Sequence, residues 1–166
     1  MAIEHDYFGI LESGPDGAIF WSEQVELGDQ AVTIDLTAPD QDDVSADALD
    51  SAATLIGRLE DVDASARGSM VAQVSDRASE VTEYVLRQQE NFGEDLSDFL
   101  VDVSGDDAVD IIRSLVLVSM TLLVDELGGE DPFAVLEYSF EADDEDDVLL
   151  VNIAADGSVI SVVSGD

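Results

Sequence analysis

The chain has no cysteine and no lysine. Without cysteine it can form no disulfide, no thiolate zinc site and no cysteine nucleophile. Without lysine it has no Schiff-base amine and no lysine to hold a phosphate. Positive charge of any kind is scarce: five arginines, at positions 58, 67, 77, 87 and 113, and one histidine, His5, stand against 40 acids. Nucleic-acid binding depends on cationic side chains that neutralise phosphates, so no nucleic-acid partner is expected. Long apolar runs are missing too. The longest, Ile111 to Val124, is broken by Arg113, Ser119 and Thr121, whereas a bilayer-spanning helix needs about 20 apolar residues. The start, Met1-Ala2-Ile3-Glu4-His5-Asp6, has neither the basic region nor the apolar core of a signal peptide. The expectation is a soluble cytoplasmic protein with no membrane partner.

What is present is acid. The formal charge is −35 over 166 residues, and it is spread evenly: residues 1–40, 41–80 and 81–120 carry nine acids each and residues 121–166 carry thirteen. An acidic tail would be local; here the charge coats every segment. At low salt such a coat repels itself and opposes compaction. At about 1 M salt the Debye length is roughly 3 Å and most of that repulsion is screened. Aspartate outnumbers glutamate 26 to 14, and short aspartates hold water and cations without the apolar stem that lysine brings. The pattern resembles cytoplasmic proteins of extremely halophilic archaea. Hydrophobic residues make up 46% of the chain, enough for a real core and against disorder. A single domain over 1–166 is expected.

Along the chain, strands come first. Tyr7 to Leu11 is a short apolar run, and Ser13-Gly14-Pro15-Asp16-Gly17 is a strong turn signal. Ala18 to Leu27 reads as a strand carrying Phe20 and Trp21. After Gly28-Asp29, Val32, Ile34 and Leu36 alternate on one face, which predicts a three-stranded antiparallel meander. The middle is helical. Ser45 can cap a helix bearing Leu49, Ala52, Ile56 and Leu59. A longer helix is predicted through Val71, Val74, Ala78, Val81 and Val85, whose spacing is that of a coiled-coil seam or of a core-facing stripe. Gly93 ends this region. Leu96, Phe99, Leu100 and Val103 suggest a short helix, and Asp106 can cap another leading to Ile111 and Ile112.

The last third returns to strands. Leu115 to Val124 has little alternation and reads as a central strand buried on both faces, although a helix is also compatible with its length. Gly128-Gly129 and Pro132 form a loop, and Phe133 to Phe140 alternates as a strand. Asp143 to Asp147 is a charged turn. Val148 to Ile153 and Val159 to Val163 make a hairpin across Asp156-Gly157. Strands, then helices, then strands predict an α+β fold, with a mainly antiparallel sheet from both ends and the helical middle on one face.

No chemistry is written plainly. A catalytic His5 would need a nucleophile and an orienting group, and His5-Asp6 supplies neither. There is no G-x-S-x-G elbow and no Walker loop. Among 40 carboxylates any chosen pair is uninformative. Asp143 to Asp147 is the densest cluster, but it lacks the EF-hand glycine and glutamate and reads as a solvated turn. The arginines read as surface ion-pair partners. No catalytic, metal or cofactor-binding residue is assigned, and no cofactor is expected.

The opening His5-Asp6-Tyr7-Phe8-Gly9-Ile10-Leu11, with Trp21 in the next strand and the Asp156-Gly157 hairpin near the end, resembles the family domain of unknown function 2004, with the 2262 family as a cousin. That resemblance implies a short first strand, a tryptophan-bearing second strand, a helical middle and a closing meander. It implies no activity and no site. Three functions remain open. The leading one is a non-enzymatic module acting through a protein partner. The others are a small-molecule or divalent-cation binding module and a carboxylate-based enzyme. Neither the partner nor the oligomeric state is legible. A deep cavity with two converging carboxylates would favour the enzyme, and an exposed apolar patch the interaction module.

Overall fold

The computed structural model describes residues 2–28, 30–100, 107–124, 132–139 and 148–165. It is an α+β fold. Strands β1 (Ala2–His5) and β2 (Gly9–Glu12) form a separate antiparallel pair. Strands β3 (Ile19–Leu27) and β4 (Gln30–Ala38) are followed by helices α1 (Ala46–Gly57), α2 (Leu59–Gln73), α3 (Glu80–Phe92), α4 (Leu96–Phe99) and α5 (Asp107–Ser114). Strands β5 (Val116–Leu123), β6 (Ala134–Ser139), β7 (Val148–Ile153) and β8 (Val159–Gly165) complete the fold.

The six strands β3 to β8 lie in one sheet in sequence order. Every pairing is antiparallel except β4 with β5. A parallel pair cannot be joined by a tight turn; the chain must cross back along the sheet. The helical middle is that crossing, which is why the helices pack on one face. Registered residues line up beneath them. Ile34, Met120, Leu136 and Val151 form one row, and Leu36, Leu122, Ala134 and Ile153 the next, all buried. They share a core with Leu49, Leu55, Val62, Met70, Val81, Tyr84, Ile111 and Ile112 from the helices.

Four expectations change in detail. The first forty residues are not a three-stranded meander. Tyr7 and Phe8 sit in the turn between β1 and β2, where Gly9 takes φ 72°. Among the described residues its one backbone bridge to the main sheet is the isolated pair Ser13 to Ile19. The stripe from Val71 to Val85 is not one helix. Ser79 caps α3 by accepting from the Thr82 N–H at 3.2 Å. Its hydroxyl and that of Thr82 donate to the carbonyls of Gln73 (2.8 Å) and Asp76 (2.7 Å), which closes off α2. Side-chain hydroxyls that satisfy helix-end groups outcompete an apolar stripe that would have run on. The helix predicted through Leu59 likewise breaks at Arg58 (φ −113°, ψ 24°), so that Leu59 begins α2.

The fourth change concerns β5. It is an interior strand, but only one of its faces is fully buried: Leu117, Met120 and Leu122 are covered, while Val116, Ser119, Thr121 and Leu123 are half-buried. The pairing with β6 slips between Leu117 and Ser119, leaving Val118 as the extra residue of a bulge. A bulge resets the two-residue period, and the less buried residues include the apolar Val116, Val118 and Leu123, so the segment shows little alternation. The hairpin at Asp156-Gly157 is present, with Gly157 at φ 89° and Asp156 Oδ1 accepting from the Ser158 N–H at 2.9 Å. Val103, Asp106, the Gly128-Gly129 loop and the acidic turn Asp143 to Asp147 lie outside the described residues.

Candidate functional site

Three places gather side chains that chemistry or recognition could use. The first is a shallow cavity of about 310 Å³ whose described walls are Leu27 and Gly28 from the end of β3, and Glu60 and Asp63 from α2. Glu60 and Asp63 sit three apart on α2, so one helix face presents both. Asp63 is already committed, however. Its Oδ1 accepts a 2.6 Å hydrogen bond from the Tyr138 hydroxyl, and both its oxygens accept from Arg67 Nε, at 3.0 and 3.2 Å. The Arg67 guanidinium lies over the Tyr138 ring, 5.1 Å from its centroid. Its Nη1 donates to the Ile112 carbonyl at 3.1 Å, at the end of α5. Burial first, then the charge and hydrogen bond of Asp63, push the Tyr138 hydroxyl far above the ordinary tyrosine range. This cluster locks α2, α5 and β6 together with its donors and acceptors matched. It leaves Glu60 as the only uncommitted carboxylate among the described walls.

The second place is His5, at the end of β1. Its Nδ1 accepts from the Tyr7 N–H at 3.1 Å, and its Nε2 lies 2.8 Å from Asp50 Oδ1 in α1. A bare Nδ1 means that the neutral ring carries its proton on Nε2 and donates it to Asp50. The orienting carboxylate therefore exists, 45 residues away, where no local motif could announce it. Both ring nitrogens are used, and among the described residues neither is bonded to a nucleophile. The ring stacks near Phe8, which meets Trp21 edge-on at 4.8 Å, with Tyr7 against both. Desolvation, then the nearby Glu23 charge, raise the Tyr7 hydroxyl above its usual range. The assembly pins the β1–β2 hairpin between β3 and α1.

The third place is the sheet face turned away from the helices. Side chains alternate across a strand, so the residues between the buried rows form rows of their own. Ser22, Asp35, Thr121, Val135, Asn152 and Ser161 make one. Gln24, Thr33, Ser119, Glu137, Leu150 and Val163 make the next, and Phe20, Thr37 and Leu123 a third. Those contributed by β5 to β8 are half-buried, and Phe20 is 68% exposed. Among the described residues no helix packs here. Across β5 to β8 a single carboxylate, Glu137, occurs, in a chain with 40 acids. The polar groups bond laterally: Asn152 Nδ2 donates to Ser161 Oγ at 2.9 Å, and Ser119 Oγ reaches Glu137 at 3.5 Å.

Comparison with protein-family models, curated proteins and solved structures gives no match for this chain. Its own geometry therefore carries the functional reading. Among the described residues no group of three metal-ligating side chains converges, and no helix is long and apolar enough to cross a membrane. Of the arginines expected at surface ion pairs, Arg67 does pair with a nearby acid, Asp63, but half-buried, and Arg87 lies over the Tyr84 ring at 5.9 Å. The open sheet face was missed because its residues come from six strands. The available signal was the near absence of acid from the last four.

Proposed function

We propose that this protein is a non-enzymatic interaction module of a salt-rich cytoplasm, working through the open face of its sheet. One observation carries the reading. An acidic coat covers the chain, yet it is interrupted over β5 to β8, where Glu137 stands alone among Ser, Thr, Asn, Val and Leu. Strands in general carry few acids, but β3 and β4 of the same sheet hold Glu23, Glu26 and Asp35, so strand structure alone does not account for their loss from β5 to β8. A surface that meets another protein does account for it, because contact centres are depleted in charge. The lateral hydrogen bonds act in the same sense: polar groups already bonded to each other lose little when covered. The enzyme and cation readings are less well served, since His5 has both nitrogens engaged and Asp63 is held by Tyr138 and Arg67.

The test is cross-linking capture from a lysate kept in multimolar KCl, comparing the wild type with Thr121→Asp. Partners that disappear with the variant, while circular dichroism is unchanged, support the reading. Partners retained in full by the variant overturn it. The salt-rich setting has its own measurement. The melting temperature should rise steeply between about 0.1 and 3 M KCl as the Debye length shrinks, and a flat or falling curve counts against it.

A further inference from the structure

We infer that the partner on this face is a second copy of the chain, so that two sheets pack face to face as a two-fold dimer. This rests on the interaction reading above and names its partner. Charge is the first argument. A basic partner would be met by carboxylates at its point of contact, and across β5 to β8 the face offers Glu137 alone. The chain itself carries −35, so two copies meet with least repulsion through a surface where that charge is absent. The open face of β5 to β8 is such a surface. The acids resume on β3 and β4 with Glu26 and Asp35, so the neutral area is bordered by charge along the β3 side of the sheet, as a contact is by its polar rim.

Size is the second argument. Six strands about 4.8 Å apart, and some six residues at about 3.3 Å rise, give a projected face of roughly 24 by 20 Å, or about 480 Å² before side-chain relief is added. A stable interface buries on the order of 600–1,000 Å² of accessible surface per partner, which a corrugated face of that extent can supply. Chemistry is the third. Leu123, Val135, Leu150 and Val163 offer apolar contact, Phe20 is an exposed aromatic anchor at the flank, and the hydroxyls are short enough for two sheets to approach to about 10 Å. A two-fold contact is self-complementary, so one neutral face serves both partners. High salt should strengthen the dimer, because it screens the repulsion outside the contact while burial inside it is favoured.

The experiment is sedimentation equilibrium in about 3 M KCl, where surface charge is screened, over micromolar to millimolar protein. The variants are Thr121→Asp and Leu150→Asp on the face, with Leu86→Asp on the exposed side of α3 as control. The inference expects a dimeric wild type, at least tenfold weaker association for each face variant, and no change for Leu86→Asp. Far-UV circular dichroism reports the fold. If Leu150→Asp does not fold, Thr121→Asp, at a position already polar and half-buried, decides. A spin label on Ser161→Cys provides a second measurement without a charge change, and the chain's lack of cysteine makes that site unique. The two labels should couple in the dimer. A wild type that stays monomeric, a dimer indifferent to Thr121→Asp, or a dimer with no coupling between labels each overturns the inference. A monomer whose lysate partners still vanish with Thr121→Asp overturns self-association and leaves the interaction reading standing. A monomer whose partners persist ends both.

Discussion

Tyr138 on β6 donates its phenolic hydrogen to Asp63 on α2 at 2.6 Å, across 75 residues of chain. Tyr138 is fully buried, and Asp63 is also held by Arg67. The two deletions are therefore unequal. Tyr138→Phe removes a donor but leaves the carboxylate with its arginine, and should cost about 1–2 kcal/mol. Asp63→Ala leaves a buried hydroxyl and a half-buried guanidinium without their acceptor, and should cost about 2–4 kcal/mol. Chemical denaturation at fixed KCl checks both, and the double variant should show non-additivity of at least about 0.5 kcal/mol. Strictly additive losses would mean that the contact carries no coupling.

The same hydroxyl sets a limit on alkaline stability. Burial and Asp63 raise its folded pKa far above the ordinary value of 10.0. Between those two values the unfolded chain loses the proton and the native chain keeps it, so the native state binds more protons and stability falls as pH rises. The contribution is intact below about pH 10 and is lost progressively above it. Unfolding free energy followed from pH 8 to 11 should decline beyond that point, and the decline should be shallower in Tyr138→Phe. Equal slopes in the two proteins would assign the alkaline loss to other groups.

The elements from β3 onward were largely legible because their period is local. Val32, Ile34 and Leu36 alternate, and Asp156-Gly157 is a turn in sequence and in space. What failed to show depended on groups brought together from afar or on local exceptions. The apolar stripe through Val71 and Val85 gave no sign that Ser79 and Thr82 would bond the carbonyls of Gln73 and Asp76 and end the helix between them. The bulge at Val118 erased the period that would have revealed an open face of β5. The site was half legible. That β5 to β8 lack acid is visible in the residues, but that Thr121, Val135, Asn152 and Ser161 lie side by side needs the strand order. Asp50 could not be matched to His5, nor Asp63 to Tyr138, by any spacing rule.

His5 should behave as a hinge pin for the first hairpin. His5→Ala removes the 2.8 Å contact to Asp50 and the ring beside Phe8. Asp50 is 70% exposed, so water replaces much of that bond and the global loss should be no more than about 1 kcal/mol. The local effect should be larger. Phe8 and Tyr7 shield Trp21, and their displacement should shift Trp21 emission to the red while far-UV circular dichroism stays native, because β1 and β2 lie outside the six-stranded sheet. An unchanged Trp21 spectrum would show that the hairpin holds without His5.

The two strand regions should also unfold together. β4 is paired on one side with β3 and on the other with β5, whose residues come more than 75 positions later. Its buried Val32, Ile34 and Leu36 face the helices and make no use of the first hairpin alone. A fragment of residues 1–43 would keep β1 to β4 but lose both β5 and every α-helix, exposing that apolar row to water. Two-stranded pairs without a covered face are marginal. The fragment should therefore give a disordered circular dichroism spectrum even in multimolar KCl. In the intact chain, Trp21 fluorescence from β3 and far-UV circular dichroism from the helices should trace one superimposable transition. A folded fragment, or a Trp21 transition well separated from the helical one, would mean that the parallel pairing of β4 with β5 does not couple the two ends of the sheet.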